Sequence, residues 1–218
     1  LEAIKEHNCS MVFTPSFVDE KGWVSKKTSS FWGLKLRTFE PQQIIDNQAT
    51  VGPTASYFFD SKVISAREYL FGKVPVGDLF YELTASIEKG LLYLPYPTVV
   101  YRRISKGSWT EQMSFGPQKI ERLKVFLKNM EVAISYSKKT DKLANLNWDG
   151  WLAEHYEVLA TYYLQAAKLK KFREAITNSY NLKQNSRKQK VFYKLRYSLM
   201  FFYTVHLLYK SKLTKKLL

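Results

Sequence analysis

Few residues of this chain have the types and spacing that known active sites require. The sequence has no Gly-rich loop that would cradle a phosphate, no Cys or His cluster with metal-ligand spacing and no nucleophile elbow. Its three histidines, His7, His155 and His206, are far apart along the chain. We therefore interpret each histidine as a structural or exposed residue.

The region that stands out consists of four short segments in a fixed order. Val-Gly-Asp-Leu-Phe-Tyr-Glu-Leu begins at Val76, Lys-Gly-Leu-Leu-Tyr-Leu begins at Lys89, Val-Val-Tyr-Arg-Arg begins at Val99 and Gly-Ser-Trp-Thr begins at Gly107. The first segment predicts a helix that Asp78 opens, with an apolar face, and the Gly of the second segment ends it. Judged by residue type alone, Asp78 is interpreted as a cap that accepts backbone N–H groups.

This series resembles the family-2 glycosyltransferases. Members carry a Gly-Asp or Glu-Asp pair at the start of a helix, a Lys-Gly that ends it, and a strand that leads into Tyr-Arg and then Gly-Ser-Trp. Two looser matches lie upstream in the right order. The segment from Cys9 to Thr14 resembles the strand after the donor domain's metal motif, and the segment from Asn47 to Phe59 resembles the one that places small hydroxyl residues beside the acceptor. The likeness covers about residues 1 to 115.

The resemblance implies that Asp78 is a general base. An inverting sugar transfer needs a carboxylate to take the proton from the acceptor hydroxyl while that oxygen attacks the anomeric carbon, opposite the nucleoside diphosphate. A partly desolvated Asp suits this role. Capping and base catalysis remain open alternatives that can coexist.

The resemblance also implies contacts with substrate elsewhere in the matched segments. Tyr101 and Arg102 would lie beside the site, with Arg102 meeting diphosphate charge; the alternative is a structural Arg paired with a carboxylate. Trp109 is either a stacking platform for a sugar ring or a packed aromatic residue. Thr54 and Ser56 are candidate acceptor contacts, although strand hydroxyls usually have no such role.

Two departures from the family limit what can be transferred. Many relatives have a His three residues after their Tyr, where this chain has Ile104. The Asp-x-Asp motif that holds a divalent metal (Mg or Mn) on the nucleotide sugar occurs nowhere in the sequence. We therefore expect this chain to be the acceptor-side portion of the enzyme, inactive alone, with the metal and the nucleotide-sugar site on an N-terminal half that precedes Leu1.

The elements expected around these residues indicate an α/β fold. Apolar runs predict strands at Ser10 to Thr14 and at Thr54 to Phe59, and extended segments at Leu91 to Leu94 and at Thr98 to Arg102. Between them we expect two short helices, one that starts at Pro41 and one that runs from Ser65 to Leu70. The remaining segments predict turns or loops: Asp19-Glu20 with Lys21-Gly22, and the polar run from Ser25 to Ser30. By the resemblance, this is the second half of a GT-A-like mixed sheet with flanking helices.

After Trp109 the periodicity becomes helical. Three helices are predicted, at Gln118 to Ser137, Trp148 to Lys170 and Arg187 to Lys210. The segment from Ser137 to Lys142 is a candidate linker. We expect an acceptor-side half of the catalytic domain over residues 1 to 140, followed by an all-helical, basic C-terminal extension over residues 141 to 218.

Positive charge is concentrated in the last quarter of the chain. Residues 168 to 218 contain fourteen Lys or Arg and one acid, Glu174, which gives +13, whereas residues 1 to 167 carry only +2 of the total of +15. The apolar stretch from Tyr197 to Tyr209 has thirteen residues, fewer than the ~20 that span a bilayer. A basic helix rich in aromatic residues suits the surface of an anionic membrane, where polyprenyl-linked acceptors lie.

The residues expected to face such a membrane are two lysines, an arginine and two phenylalanines: Lys190, Lys194, Arg196, Phe192 and Phe202. The alternative is a helix that packs on the catalytic half and keeps its lysines in water. We expect a cytoplasmic enzyme, peripheral on the inner face of the plasma membrane. A different class of function, a non-catalytic helical interaction or membrane-docking module, is the second interpretation, and nucleic-acid binding is the third.

Overall fold

A computed structural model describes residues 2–20, 23–47, 51–61, 65, 77–102, 105–114, 116, 118–140 and 143–214. The chain is a mixed α/β protein with a helical C-terminal part, and it is 58% helical. It forms two compact units. The α/β unit comprises residues 1–114 and 129–146, and the helical unit comprises residues 115–128 and 147–218. A domain boundary at residue 140 remains a prediction.

The described part of the α/β unit contains seven strands and short helices. The strands are β1 (Met11–Phe13), β2 (Ser16–Glu20), β3 (Trp23–Ser29), β4 (Arg37–Phe39), β5 (Phe58–Phe59), β6 (Leu91–Tyr93) and β7 (Val99–Arg102). The helices are α1 (Glu2–Glu6), α2 (Pro41–Asp46), a 3₁₀ turn (Thr54–Ser56), α3 (Gly77–Glu88) and α4 (Trp109–Ser114).

Two sheets organise this unit. The larger has the order β4-β6-β1-β5, in which β1 and β6 are parallel and the outer strands antiparallel. The smaller has the order β3-β2-β7, with β2 and β7 parallel. All three residues of β1 and all three of β6 are buried. Strands buried on both faces read as continuous apolar runs, which is how both segments read in the sequence.

Helix α3 has the apolar face that its sequence predicts. Leu79, Phe80 and Leu83 are fully buried. Gly90 has a φ of 109° and its N–H donates to the Ala85 carbonyl at 2.9 Å, so it ends the helix as expected. The helix at Pro41 is also confirmed, with proline in its first turn.

Of the smaller sheet only β7 was expected, as the extended segment from Thr98 to Arg102, and β2 and β3 were missed because they contain many polar residues. The loop expected from Ser25 to Ser30 is wrong, since Trp23–Ser29 is an edge strand paired with β2. The turn expected at Asp19-Glu20 is also wrong, because both residues belong to β2. One face of an edge strand meets water, so polar composition does not exclude it. Lys21 and Gly22 lie outside the described residues.

Two further expectations concern the residues in the 3₁₀ turn and after it. The strand expected from Thr54 to Phe59 is wrong in its first half, because Pro53 is followed by a turn in which the Ser56 N–H donates to the Pro53 carbonyl at 2.8 Å. Only Phe58–Phe59 is a strand. Of the helix expected from Ser65 to Leu70, Ser65 is helical and the other five residues lie outside the described part.

Helices make up the rest of the chain. They are α5 (Lys119–Thr140), α6 (Asp149–Gln165), α7 (Leu169–Leu182), α8 (Arg187–Lys194) and α9 (Leu199–Thr214). The first part of α5 belongs to the helical unit and its remainder to the α/β unit. The linker expected from Ser137 is wrong up to Thr140, which is still helical, and Asp141 and Lys142 lie outside the described residues.

The chain turns at two places where continuous helices were expected. Helix α6 ends at Gln165, and Ala167 takes a φ of 54°, so the chain reverses before α7 begins at Leu169. The expected helix from Arg187 to Lys210 divides at residues 195–198, where the Ser198 hydroxyl accepts a hydrogen bond from the Phe201 N–H at 3.2 Å. A serine in this position caps the helix that follows it.

Candidate functional site

The candidate site lies where the parallel strands β1 and β6 end. Ligand sites in α/β sheets collect at the carboxyl ends of parallel strands. Just beyond β1, the Thr14 hydroxyl contacts the Thr98 hydroxyl at 2.6 Å, which connects the start of β7 to this edge. The 3₁₀ turn Thr54–Ser56 reaches the same edge, because Ser56 hydrogen-bonds the backbone of Thr14.

Asp78 lies in the first turn of α3 and is partly buried. Its Oδ1 accepts a hydrogen bond from the Leu79 N–H at 3.0 Å, and its Oδ2 accepts one from the Thr54 hydroxyl at 3.2 Å. The first contact joins neighbouring residues inside the helix, so it is not the N-cap interaction that residue type predicts, in which a side chain accepts from an N–H two or three residues further on. The second shows that an exposed hydroxyl can approach the other oxygen of this carboxyl group.

A second carboxyl, Glu82, lies one helical turn further along α3 and is fully buried. Its Oε1 accepts a hydrogen bond from the Gly52 N–H at 3.1 Å and is also hydrogen-bonded to the Tyr57 hydroxyl. Its Oε2 has no hydrogen-bond partner among the described residues. Burial, supported by the nearby charge of Asp78, raises the pKa of Glu82 to about 8. Glu82 therefore keeps its proton to a higher pH than an ordinary glutamate does.

A protonated Glu82 satisfies the hydrogen bonds around it. Tyr57 has one hydroxyl proton, and its oxygen lies 3.0 Å from the Gly52 carbonyl. Glu82 can donate to the Tyr57 oxygen while Tyr57 donates to Gly52. Burial and the neighbouring Glu82 raise the pKa of Tyr57, so this hydroxyl keeps its proton. The closed set of bonds attaches segment 51–57, which carries Thr54, to α3.

Position 52 requires glycine because the surrounding rings leave no room for a side chain. A Cβ at this position would lie 2.6 Å from Cδ2 of Phe13, whose ring is fully buried, and 2.9 Å from Cε1 of Tyr57. No side chain fits at such distances without moving a core ring. The close approach brings the Gly52 N–H within reach of Glu82.

The two hydroxyl residues expected at the acceptor have different positions. Thr54 is exposed and donates to Asp78, so the structure brings these two predicted residues together. Ser56 accepts from the Thr14 N–H at 3.2 Å and lies 2.9 Å from the Thr14 carbonyl. Its hydroxyl therefore serves the backbone of Thr14 instead of facing an acceptor.

The other predicted contacts lie on β7 and after it. Tyr101 is exposed on β7. Arg102 Nε pairs with Asp19 Oδ2 at 3.3 Å, while the arginine side chain is 76% exposed and the aspartate side chain 11%. The structural pairing, one of the two alternatives for Arg102, is therefore present, and most of the arginine side chain still faces water. Trp109 begins α4, but its side chain lies outside the described part.

Sequence reasoning missed Glu82 and Tyr57. Glu82 is four residues after Asp78, and residues so spaced share a helical face. That face also carries Leu79 and Leu83, which are buried. An acid on an apolar face was the available signal, and it indicates a buried carboxyl whose partner must come from elsewhere in the chain.

No metal centre is found in the part of the chain that the structure describes, where no three His, Cys, Asp or Glu residues come together as ligands would. The resemblance assigns the divalent metal to a motif that the sequence lacks, so no described residue is assigned to it. No chemical step is therefore derived through a metal in this chain.

The basic C-terminal residues divide into exposed and packed groups. Lys190 and Lys194 are exposed on α8. The Arg196 guanidinium lies over the ring of Tyr193 at 3.7 Å and over that of Tyr197 at 4.7 Å. Such stacking holds the guanidinium in one place.

The expectation that Phe192 and Phe202 face a membrane is wrong. Phe192 is 5% exposed and Phe202 1% exposed. Both rings pack against Phe172 of α7, with centroids 5.7 and 5.9 Å away. They form the core that joins α7, α8 and α9, so neither ring is available to lipid.

Comparison with known proteins supplies no relative from which a role could be transferred. No family model, curated protein or solved structure matches the chain. The likeness to family-2 glycosyltransferases therefore depends on the quoted sequence segments alone.

Proposed function

We infer that this chain is the acceptor-side portion of a glycosyltransferase that moves a sugar from a nucleotide-sugar to a saccharide or lipid-linked acceptor, in the assembly of a cell-surface polysaccharide. The observation that carries the proposal is the pair Asp78 and Thr54. A partly buried carboxylate at the sheet edge accepts a hydrogen bond from an exposed hydroxyl at 3.2 Å. An acceptor alcohol in that position would meet the same oxygen.

In the proposed reaction, Asp78 Oδ2 takes the proton of the acceptor hydroxyl. The acceptor oxygen attacks the anomeric carbon, and the bond from that carbon to the nucleoside diphosphate breaks, with the electron pair leaving on the diphosphate. The nucleotide-sugar site and its metal are assigned to the N-terminal half of the full-length enzyme. This chain supplies the base and the surface on which the acceptor lies.

The neighbours of Asp78 support this role. The raised pKa of Glu82 reduces the negative charge beside the base at neutral pH. Its bonds to Tyr57 and Gly52 hold the turn that presents Thr54. A hydroxyl fixed against the base can also orient an acceptor, and orientation contributes strongly to the rate of bimolecular reactions.

The test is a sugar-transfer assay with the complete natural protein, a set of nucleotide-sugars and saccharide acceptors. Asp78→Asn keeps the size of the side chain but removes its basicity, and we expect the transfer rate to fall about 10²- to 10⁴-fold. Donor binding, measured by calorimetry, should stay unchanged.

Asp149→Asn is the matched control, since Asp149 is an exposed acid in the first turn of α6. Any general effect of losing a helix N-terminal charge would appear there too. Transfer at the wild-type rate by Asp78→Asn would remove Asp78 from its role. A wild-type enzyme that transfers no sugar from any donor would remove the whole proposal.

A further inference from the structure

One apolar face of α9, the last described helix, packs against other helices of the same chain. Phe202 is buried against Phe172, and His206 Nδ1 lies 3.1 Å from the Leu164 carbonyl. Phe202 and His206 are four residues apart and therefore on one side of the helix. This side anchors α9 to helices α6 and α7 of the helical unit.

The opposite side of α9 is also apolar, and the protein leaves it in water. Met200, Tyr203 and Leu207 follow one another at helical spacing and are 80%, 56% and 61% exposed. Leu199 and Leu208 flank them and are 55% and 57% exposed. A helix that is apolar all round normally belongs in a core or a membrane. A continuous exposed row of this size indicates an interaction surface.

The described part of α9 is shorter than the hydrocarbon core of a bilayer is thick. Sixteen residues of α9 extend about 24 Å at ~1.5 Å per residue, whereas the hydrocarbon core of a bilayer is ~30 Å thick. Among the described residues, no helix is long and apolar enough to cross a membrane. A partner that covers the exposed face would lie alongside this part of the helix.

The positive charge of the C-terminal residues indicates which partner covers the exposed face of α9. Residues 168 to 218 contain fourteen basic residues and one acid, and Lys190, Lys194 and Lys210 are exposed close to the apolar row in sequence. A second copy of the chain would bring +13 against +13, which opposes a symmetric dimer through this face. An anionic lipid surface satisfies both features, because it offers an apolar interior beneath a negative layer. Tyrosine at the level of the headgroups is typical of such contacts.

We propose that α9 lies in the surface of an anionic membrane, with the row Met200, Tyr203 and Leu207 inserted between the headgroups. The exposed lysines of α8 and α9 meet the lipid phosphates, while Phe202 and His206 keep the helix attached to its own unit. This surface does not depend on sugar transfer, so either proposal can fail without the other.

The test is flotation of the 218-residue chain with vesicles of equal parts phosphatidylglycerol and phosphatidylcholine, and with phosphatidylcholine vesicles as the neutral comparison. We expect the wild-type chain to float with the anionic vesicles only. The double variant Met200→Glu and Leu207→Glu should stay at the bottom of the gradient. Lys190→Gln with Lys194→Gln should weaken binding about fivefold per charge removed.

The matched control is the double variant Val125→Glu and Val132→Glu. Both valines are apolar, 58% and 61% exposed, and lie on α5. The control has the same change in net charge as the α9 variant, so it should float like wild type. Circular dichroism should show wild-type helix content in every variant.

Four results would overturn the proposal. Equal flotation with neutral vesicles, or no flotation with either kind, would remove the electrostatic attraction to lipid. Equal loss in the α5 control would show that net charge matters and the α9 face does not. Sedimentation that reveals a dimer of the wild-type chain, dissociated by Leu207→Glu, would assign the face to a second copy.

Discussion

At the scale of single residues, Glu82 is unusual because its ionisable carboxyl group is fully buried. Carboxyl groups are rarely fully buried without a charged partner, and the partners of Glu82 are a phenol and a backbone N–H. Its raised pKa makes the free energy of unfolding depend on pH. The dependence has the opposite sign to that of an ion-paired carboxylate.

We expect the α/β unit to lose stability as pH rises from about 4.5 to about 8, the interval between the ordinary pKa of a glutamate and that of buried Glu82. In this interval the folded state binds a proton that the unfolded chain has released. The free energy of unfolding therefore falls by up to about 1.4 kcal/mol per pH unit, and the fall ends above the folded pKa.

The variant Glu82→Gln cannot ionise, so it should lack this part of the pH dependence. Urea midpoints at the two ends of the interval measure the difference. Glu88→Gln, an exposed carboxyl on the same helix, is the control and should behave as wild type. If wild type and Glu82→Gln respond to pH alike, Glu82 does not titrate as described.

At the scale of elements, the connection between α6 and α7 depends on one unusual backbone angle. Ala167 has a φ of 54°, in the left-handed region. The turn is closed by hydrogen bonds from the Lys168 N–H to the Tyr163 carbonyl at 2.9 Å and from the Ala167 N–H to the Leu164 carbonyl at 3.2 Å. Glycine is the usual residue in such a turn because a Cβ is unfavourable there.

Ala167→Gly should therefore stabilise the helical unit by about 1 kcal/mol. Its exposed neighbour Ala166 has an ordinary φ of −89°, so Ala166→Gly should destabilise by a similar amount. Thermal unfolding should show shifts of a few degrees in opposite directions. Shifts of the same sign would mean that the left-handed angle does not limit stability.

At the scale of the whole molecule, positive charge is distributed unevenly along the chain. Residues 168 to 218 carry +13 and the rest of the chain +2. Repulsion among like charges destabilises a compact state, and dissolved salt screens it. Salt should therefore stabilise the C-terminal helices more than the sheets.

Raising the ionic strength from about 0.01 to about 0.15 M shortens the Debye length from ~30 to ~8 Å. Amides of α8 and α9 should then gain protection in hydrogen exchange measured by mass spectrometry, while amides of β1 and β6 change little. Sucrose at matched osmolality controls for general stabilisation. Equal gains in both regions would show that the basic segment is not under electrostatic strain.

Elements with strong local signals were predictable from the sequence. Proline at position 41, the apolar face of α3 and its final Gly90 each act within one turn, so their effects are independent of the rest of the fold. The same holds for the buried strands β1 and β6, whose apolar runs are continuous. Asp78 and Thr54 were predicted as site residues through the family likeness, and the structure places them in contact.

Strands β2 and β3 of the smaller sheet, and the pairing of β2 with β7, could not be predicted without the tertiary structure. Asp19 and Arg102 are 83 residues apart, and only the pairing of β2 with β7 brings them together. A polar strand next to a turn has the same composition as a loop, so local pattern cannot separate the two. Burial of Glu82 likewise depends on Gly52 and Tyr57, which reach it from another segment.

The sequence by itself determined that the C-terminal part is helical, basic and rich in aromatic residues. Only the tertiary structure decided which side of α9 is covered. The helix is apolar on both faces, so periodicity favours neither, and the choice depends on the position of Phe172 and Leu164 in neighbouring helices. This contact buries Phe202 and leaves Met200, Tyr203 and Leu207 facing solvent.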